Sequence, residues 1–398
     1  MTVFSIATSK GAERGACHHC NLVVARFFVA LFSLLAGLAS AAPYTPNSDD
    51  QILVRLSPAE QALGQPASAG SEANAIRQAR EYIDYARQRE DSRFLGYARA
   101  ILSPWLGSPS SPPIALLMAE IEQRQHQFAQ AQTRLTKLLE RHPNDGQAWL
   151  MLANLHRVQG RFEDARHACR QGASTLPPTT VVICQSSIQA MTGQLPKAWQ
   201  TLQRLADSGL ASPGNEQRWL HTLLAEMAIQ QGLYDQANNY LNAALQDAPQ
   251  PPYLVYLQND LRLMRGDNDK VIAALQPWQD RENALLRLAI AAQRSHHPDA
   301  DRWQQAYQDL LNAAQQSGRD IHLREQARFQ LQVSARPEAA LQTAQANWET
   351  QREISDLRIL LASAAASGDQ DAHQQAMQFI DLHGISDAPS QPLQDASP

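Results

Sequence analysis

The chain of 398 residues repeats one pattern of residue types at a spacing of thirty-four positions. The clearest copy begins at Gly146, and its slots are filled by Trp149, Leu152, Ala153, His156, Gly160, Phe162, Ala165, Cys169 and Pro177. Thirty-four residues earlier the same slots hold Ala115, Met118, Ala119, Glu122, Phe128, Ala131, Leu135 and Pro143. A unit of this length cannot bury its apolar face alone, so the pattern predicts a stack of such units.

Further copies of the pattern follow along the chain. The strongest has Leu224, Ala225, Gly232, Tyr234, Ala237, Leu241, Ala244 and Pro249, and weaker ones are anchored on Gly193, Gly266 and Gly368. These anchors predict units that begin near residues 79, 112, 146, 178, 218, 252, 282, 320 and 354. The chain is therefore expected to form about nine helical pairs.

Each unit has the residues that a pair of helices needs. Apolar side chains recur at helical spacing, and small residues such as Ala165 allow the two helices to approach closely. Gly160 and Gly232 suit the turn between them, where a positive φ costs least in glycine. Pro143 and Pro177 end the second helix, because proline lacks a backbone donor and clashes inside a helix.

The unit at Gly146 resembles the tetratricopeptide repeat, with Ala153, His156 and Cys169 as departures from its pattern. The resemblance covers residues 79 to 383. It implies an all-α fold, a tetratricopeptide-type α-solenoid built as a right-handed superhelix of about nine helical hairpins. It also implies a surface that binds another protein.

The two ends of the chain differ from the repeats. Residues 1–41 are predicted to be a signal peptide, because an apolar run at 27–38 precedes the small residues Ala39-Ser40-Ala41. We expect an exported protein, periplasmic or secreted and soluble after cleavage, since no later apolar run is long enough to span a membrane. The remaining divisions are predicted as an extended leader and N-terminal cap at 42–70, the repeat array at 71–383 and a disordered tail at 384–398.

Cys169 and Cys184 fall on neighbouring helices of the predicted array. An exported protein meets conditions that permit disulfides, so we predict a bond between them. The alternative is two buried free thiols, since cysteine packs well as a small apolar residue.

No sequence motif for phosphate binding, for a nucleophilic serine or for a catalytic zinc helix is present, so we predict neither an enzyme nor a cofactor. The net charge of -5 is spread without a run of Lys and Arg, which makes nucleic acid a poor candidate partner. His296, His297, Asp299 and Asp301 form the one dense group of metal-ligand types. We interpret it as a solvated corner rather than a metal site, because ligands so close in sequence rarely converge on one ion.

Residues at i, i+3, i+7 and i+10 of the first helix in each pair share one face, which is expected to line a concave groove. In the units near 218 and 252 these slots hold Trp219, Thr222, Glu226, Ile229, Tyr253, Tyr256, Asp260 and Leu263, and later units add Arg324, Arg328 and Arg358. Aromatic and arginine side chains are enriched at binding hot spots. We therefore predict that a partner segment with apolar and acidic side chains contacts Trp219, Tyr253, Tyr256, Arg324, Arg328 and Arg358. The alternative is that one or more of the aromatic rings pack between hairpins.

The sequence thus predicts a non-enzymatic scaffold of the cell envelope that grips a protein or peptide partner in its groove. A narrower version is an assembly factor for an envelope machine. The competing hypothesis is a metal-handling or enzymatic protein with a site near the irregular hairpin at 282–316.

Overall fold

The computed structural model describes residues 70–107, 111–246, 250–317 and 322–395. By its contacts the chain divides into two compact units, residues 1–51 with 316–318 and residues 52–315 with 319–398. The predicted signal peptide at 1–41 and almost all of the predicted leader at 42–70 lie outside the described residues.

Within the described residues the chain forms α-helices and short 3₁₀ turns, with no strand. In this described part, eighteen helices between residues 72 and 383 follow one another as nine pairs. They are α1 Glu72–Arg89, α2 Arg93–Leu102, α3 Pro112–Arg124, α4 Phe128–Arg141, α5 Gly146–Val158, α6 Phe162–Gly172, α7 Pro178–Gln189, α8 Leu195–Ser208, α9 Asn215–Gln230, α10 Tyr234–Ala244, α11 Pro252–Met264, α12 Asn268–Leu275, α13 Glu282–Ser295, α14 Ala300–Ser317, α15 Leu323–Gln332, α16 Pro337–Trp348, α17 Ile354–Ser367 and α18 Gln370–His383. The prediction of an all-α tetratricopeptide-type solenoid is confirmed. None of these helices carries an apolar stretch long enough to cross a membrane.

The pairs begin at or close to the predicted positions, with one exception. The first pair begins at Glu72 rather than near residue 79. Ser71 sets this start, because its hydroxyl accepts a hydrogen bond from the backbone N–H of Asn74 at 3.3 Å and caps the helix.

In five of the nine described pairs the turn places a glycine in the left-handed region, as predicted, whereas the other four place Glu90, His126, His296 or Ala335 there. Gly160 has φ of 72° and Gly232 has φ of 73°. A Cβ at Gly160 would also lie 3.0 Å from Cδ of Arg352, a tight contact that the Arg352 side chain would have to relieve by shifting. The turn of the third pair therefore touches the residues just before α17.

One apolar cluster, called here the long-range cluster, joins helices that are far apart in the sequence. It contains buried residues of α3 to α7 together with residues of α15 to α18. The rings of Phe162 and Phe379 lie 6.2 Å apart. The backbone N–H of Arg352 donates to the carbonyl of Val158 at 2.7 Å. The third and ninth pairs thus pack directly on each other, in addition to the stacking of successive pairs.

The structure corrects the expectation of a disordered tail at 384–398. Residues 385–395, called here the docked segment, contain a 3₁₀ turn Ala388–Ser390 and a short helix α19 Gln391–Asp395. Ile385, Asp387 and Ser390 are buried. The segment was expected to be unfolded because it has few apolar residues, but Ile385 and Leu393 both pack on the long-range cluster. Residues 396–398 lie outside the described residues.

A disulfide joins Cys169 of α6 to Cys184 of α7. Their Cα atoms are 6.1 Å apart, and both side chains are buried. The bond ties the third pair to the fourth beside the long-range cluster.

Peptide mapping after alkylation of the unreduced protein should leave Cys169 and Cys184 unmodified, and prior reduction should expose both. Replacing both by alanine should lower the free energy of unfolding by about 3 kcal/mol, because the 15-residue loop is no longer closed in the unfolded chain. Reductant should lower the stability of the natural chain and leave that of the double variant unchanged. Alkylation of both thiols without reduction would contradict the bond.

Candidate functional site

A cavity of about 110 Å³ lies among the first helices of five pairs. We call it the α9 cavity, because α9 contributes the largest part of its wall. The residues that line it are Arg157, Ser187, Ala190, Met191, Leu223, Glu226, Met227, Ile229, Gln230, Tyr253, Leu257, Glu353, Ile354, Ser355 and Arg358. They belong to α5, α7, α9, α11 and α17 or to the residues next to these helix ends.

The wall of the α9 cavity combines apolar and charged side chains. Leu223, Met227 and Leu257 supply apolar surface that would favour an aliphatic or aromatic guest. Arg157 and Arg358 carry positive charge beside that surface. A ligand lodged there would bury apolar area and meet charges at the same time.

Three ionic or hydrogen-bonded pairs fix the polar part of the wall. Arg157 on α5 lies 3.1 Å from the carboxylate of Glu353, the N-cap of α17. The hydroxyl of Tyr253 donates a hydrogen bond to Glu226. Burial raises the pKa of the Glu226 carboxyl, and this hydrogen bond acts in the opposite direction. All these groups are therefore held in place before any ligand arrives.

Arg358 forms the third pair, with a residue of the docked segment. Its Nε and Nη2 atoms donate to the two carboxylate oxygens of Asp387 at 2.9 and 2.5 Å. This two-point geometry is the strongest form of an arginine–carboxylate bond. The Asp387 side chain is 1% exposed, so the bond is shielded from water.

Gln230, the last residue of α9, contributes an unsatisfied amide. The residue is 5% exposed, and its Nε2 atom has no hydrogen-bond partner. A buried donor without a partner costs about 1 to 3 kcal/mol. A carbonyl or carboxylate oxygen of a ligand within hydrogen-bond distance of this amide would remove that cost.

The predicted aromatic residues divide between the cavity and the core. Tyr253 lines the α9 cavity and is 56% exposed. Trp219 is half-buried and packs against the long-range cluster and the core around α9. Tyr256 is buried, and its hydroxyl donates to Glu90, at the end of α1. The prediction that Tyr256 is an open contact residue is therefore wrong, since its ring packs between pairs.

The three arginines that were predicted to contact a partner, Arg324, Arg328 and Arg358, are paired with carboxylates of the chain itself. Arg324 lies near Glu325, Glu353 and Asp356, and Arg328 binds Asp260 at 2.8 Å. Arg358 is paired with Asp387 as described. The expectation of arginines left open for a partner is corrected accordingly, and of these three arginines only Arg358 lines the cavity.

Asp260 joins three helices through two arginines. Arg287 of α13 and Arg328 of α15 bind its carboxylate at 2.5 and 2.8 Å. Desolvation acts to raise the pKa of Asp260, but the two positive charges outweigh it and lower the pKa to about 2. Asp260 is thus a structural ion-pair centre rather than a contact for a partner.

The hairpin between α13 and α14 uses its histidines and aspartates locally. The backbone N–H of Asp299 donates to Nδ1 of His297 at 3.1 Å, and the carboxylate of Asp299 binds Arg302. The ring of His297 stacks on Trp303. Among the described residues no group of three or more potential metal ligands is assembled, and His296, His297, Asp299 and Asp301 make none.

Residues 116–177 match the family model of the tetratricopeptide repeat. This range holds most of the second and third pairs, including Arg157. A search of the curated proteins found no match to the chain.

Several solved structures resemble this one in fold. PilW, described as a widely conserved type IV pilus biogenesis factor, is 17% identical with a TM-score of 0.40, over 52% of this chain and 96% of PilW. A tetratricopeptide repeat protein from Parabacteroides merdae is 13% identical with a TM-score of 0.36, over 73% of this chain and 98% of that one. The APC/C hetero-tetramer Cut9–Hcn1 matches at 15% identity and a TM-score of 0.44, over 80% and 58%. Similarities at this level carry no information about function.

Replacing Asp260 by asparagine should lower the free energy of unfolding by about 3 kcal/mol, because two poorly solvated arginines lose their carboxylate. A matched control is Glu81→Gln, which breaks an exposed pair with Arg77 and should change the stability by less than about 1 kcal/mol. Urea denaturation followed by circular dichroism measures both. Equal stabilities of the two variants would contradict the structural role of Asp260.

The stability of the array should decrease as the pH rises from 6.5 to about 9. The hydrogen bond to Glu282 raises the pKa of His322 from 6.5 to about 9, so the folded chain binds this proton more tightly than the unfolded chain. The stabilisation is complete below pH 6.5 and is lost as the pH approaches 9. Melting temperatures across this range should fall less in His322→Gln than in the natural chain. His142→Gln, a change at an exposed histidine, is the control and should leave the slope unchanged.

Proposed function

We propose that this chain is a non-enzymatic interaction scaffold that holds a segment of a protein partner at the α9 cavity. The observation that carries the proposal is the composition of the cavity wall, in which first helices of five pairs place apolar side chains beside fixed charges. Tetratricopeptide arrays bind extended or helical segments on surfaces of this kind. The partner would insert an apolar side chain and satisfy the amide of Gln230.

Tyr253 is the contact residue that the proposal depends on most. It lines the cavity and is more than half exposed, and its hydroxyl is held by Glu226. A ring fixed in this way loses little conformational entropy when a partner packs on it, which is a reason why tyrosines become hot spots. Trp219 lies on the same helix as Glu226 and extends the aromatic surface in this proposal.

The proposed location is the cell envelope, and a role in assembling an envelope machine is the narrower form of the proposal. Its support is the apolar run at residues 27–38 followed by small residues, which has the order of a signal peptide. Fractionation of cells that produce the full chain, with N-terminal sequencing of the product, tests this part separately. A product that keeps residues 1–41 in the cytoplasm would contradict it.

A photo-reactive amino acid at position 253 should form a cross-link to the partner, and the same group at Tyr97 should not. Tyr97 is a matched control because it is 43% exposed on α2 and does not line the cavity. Mass spectrometry of the cross-linked peptide identifies the partner segment.

With the purified partner, Tyr253→Ala should weaken binding by about 2 kcal/mol, close to thirtyfold in Kd, because the exposed ring is the proposed anchor. Tyr97→Ala should bind as the natural chain does. Isothermal titration gives the affinities, and equal melting temperatures show that the array remains folded. Unchanged affinity in Tyr253→Ala would rule out the α9 cavity as the partner site.

A further inference from the structure

The docked segment contacts the array in the way that a bound ligand would, rather than as a terminal cap does. Asp387 reaches Arg358, one of the residues that line the α9 cavity, with both carboxylate oxygens. The carboxylate is almost completely buried. A buried acid paired in this way requires its arginine partner, because the charge would otherwise be desolvated without compensation.

The position of the segment extends beyond the last pair. Its 3₁₀ turn contacts α9, in the fifth pair, as well as α17 in the ninth. A Cβ added at Gly232, in the turn after α9, would lie only 3.5 Å from Cβ of Ala388. A cap for the end of a repeat array needs to cover only the outer face of the final unit. This segment instead spans two pairs beside the cavity.

Apolar and polar contacts surround the ionic one. Ile385 and Leu393 pack on the long-range cluster, and the backbone carbonyl of Leu393 lies 2.9 Å from Nε2 of His373. Ser390 folds the turn back by donating to the carbonyl of Asp387 at 3.1 Å. The segment thus combines an acidic residue with flanking apolar side chains, which is the chemistry predicted for a partner.

We infer that the surface around Arg358 is a docking site for an acidic protein segment with flanking apolar side chains, and that residues 385–395 occupy it until a partner displaces them. A partner segment would replace Asp387 with its own carboxylate on Arg358 and gain access to the neighbouring cavity. Because the docked segment is tethered, it competes at an effective concentration of roughly millimolar. The inference builds on the proposed function, but its test needs no partner.

The probe is a fluorescent peptide with the sequence of residues 384–395, measured by anisotropy against the full chain. Asp387→Asn should free the site, so this variant should bind the peptide at least about tenfold more tightly than the natural chain. Asp381→Asn is the matched control, because it removes an exposed carboxylate from α18 outside the contact. It should behave as the natural chain does. A peptide carrying Asn in place of Asp387 should bind the freed site at least about tenfold more weakly, and Asp387→Asn combined with Arg358→Gln should lose peptide binding.

A second measurement does not depend on any variant folding. Adding the peptide in excess to the natural chain should speed hydrogen exchange at the backbone N–H of Ser390, which donates to Asp387 at 3.1 Å. Equal peptide affinity in the natural and Asp387→Asn chains, or insensitivity to the peptide's own aspartate, would overturn the inference. So would unchanged exchange at Ser390 under saturating peptide. A failed cross-link at Tyr253 would affect only the proposed partner site, since none of these readouts uses a partner.

Discussion

The joint between the third and ninth pairs is the contact on which the rest of the site depends. It consists of the backbone hydrogen bond from Arg352 to Val158 and the ion pair of Arg157 with Glu353. The tilted and edge-on contacts of the Phe379 ring with Phe162 and Trp348 support it. These contacts place the start of α17 against α5 and beside α9. The α9 cavity exists because of them, since α17 and its N-cap supply four of the residues that line it: Glu353, Ile354, Ser355 and Arg358.

Charged side chains between helix pairs are neutralised within the chain. Helices that would face open solvent in a loosely wound array instead face other helices of the chain. Arginines there must find carboxylates, because a charge removed from water without a partner is strongly destabilising. Asp260 supplies such a carboxylate to Arg328, and Glu353 supplies one to Arg157 and Arg324. The surface proposed for a partner is correspondingly small and consists of the α9 cavity and its margin.

The sequence was sufficient to predict the parts of the structure that depend on local pattern. The repeat gave the fold class and nearly all of the pair starts, because a packing slot and a turn glycine recur within each unit. The rule that residues at i, i+3, i+7 and i+10 share one helix face also predicts part of the cavity wall. Glu226, Ile229, Tyr253 and Arg358 all line it. Counted from Gln147, the same rule selects Arg157, so this residue could have been found.

The remaining features could not be predicted from spacing. Arg157 and Glu353 are 196 residues apart, and nothing in either unit indicates the other. Tyr256 is buried, and its hydroxyl donates a hydrogen bond to Glu90 of the first pair. The docked segment is too polar to be predicted as folded, since its contacts, the Asp387–Arg358 pair and the packing of Ile385 and Leu393, are made with distant parts of the chain. Each of these depends on which distant pairs meet, which a nearest-neighbour pattern does not encode.

The apolar cluster shared by the third and ninth pairs has a consequence for how the array comes apart. A repeat protein whose units touch only their neighbours can fray from either end, one unit at a time, and can nucleate anywhere. Here, loss of α17 and α18 would expose the apolar surface of α5 and α6. The two regions are therefore expected to open together as one cooperative block, and folding must close a long loop before that block is complete. Such topology favours slow folding, because contacts distant in sequence form late.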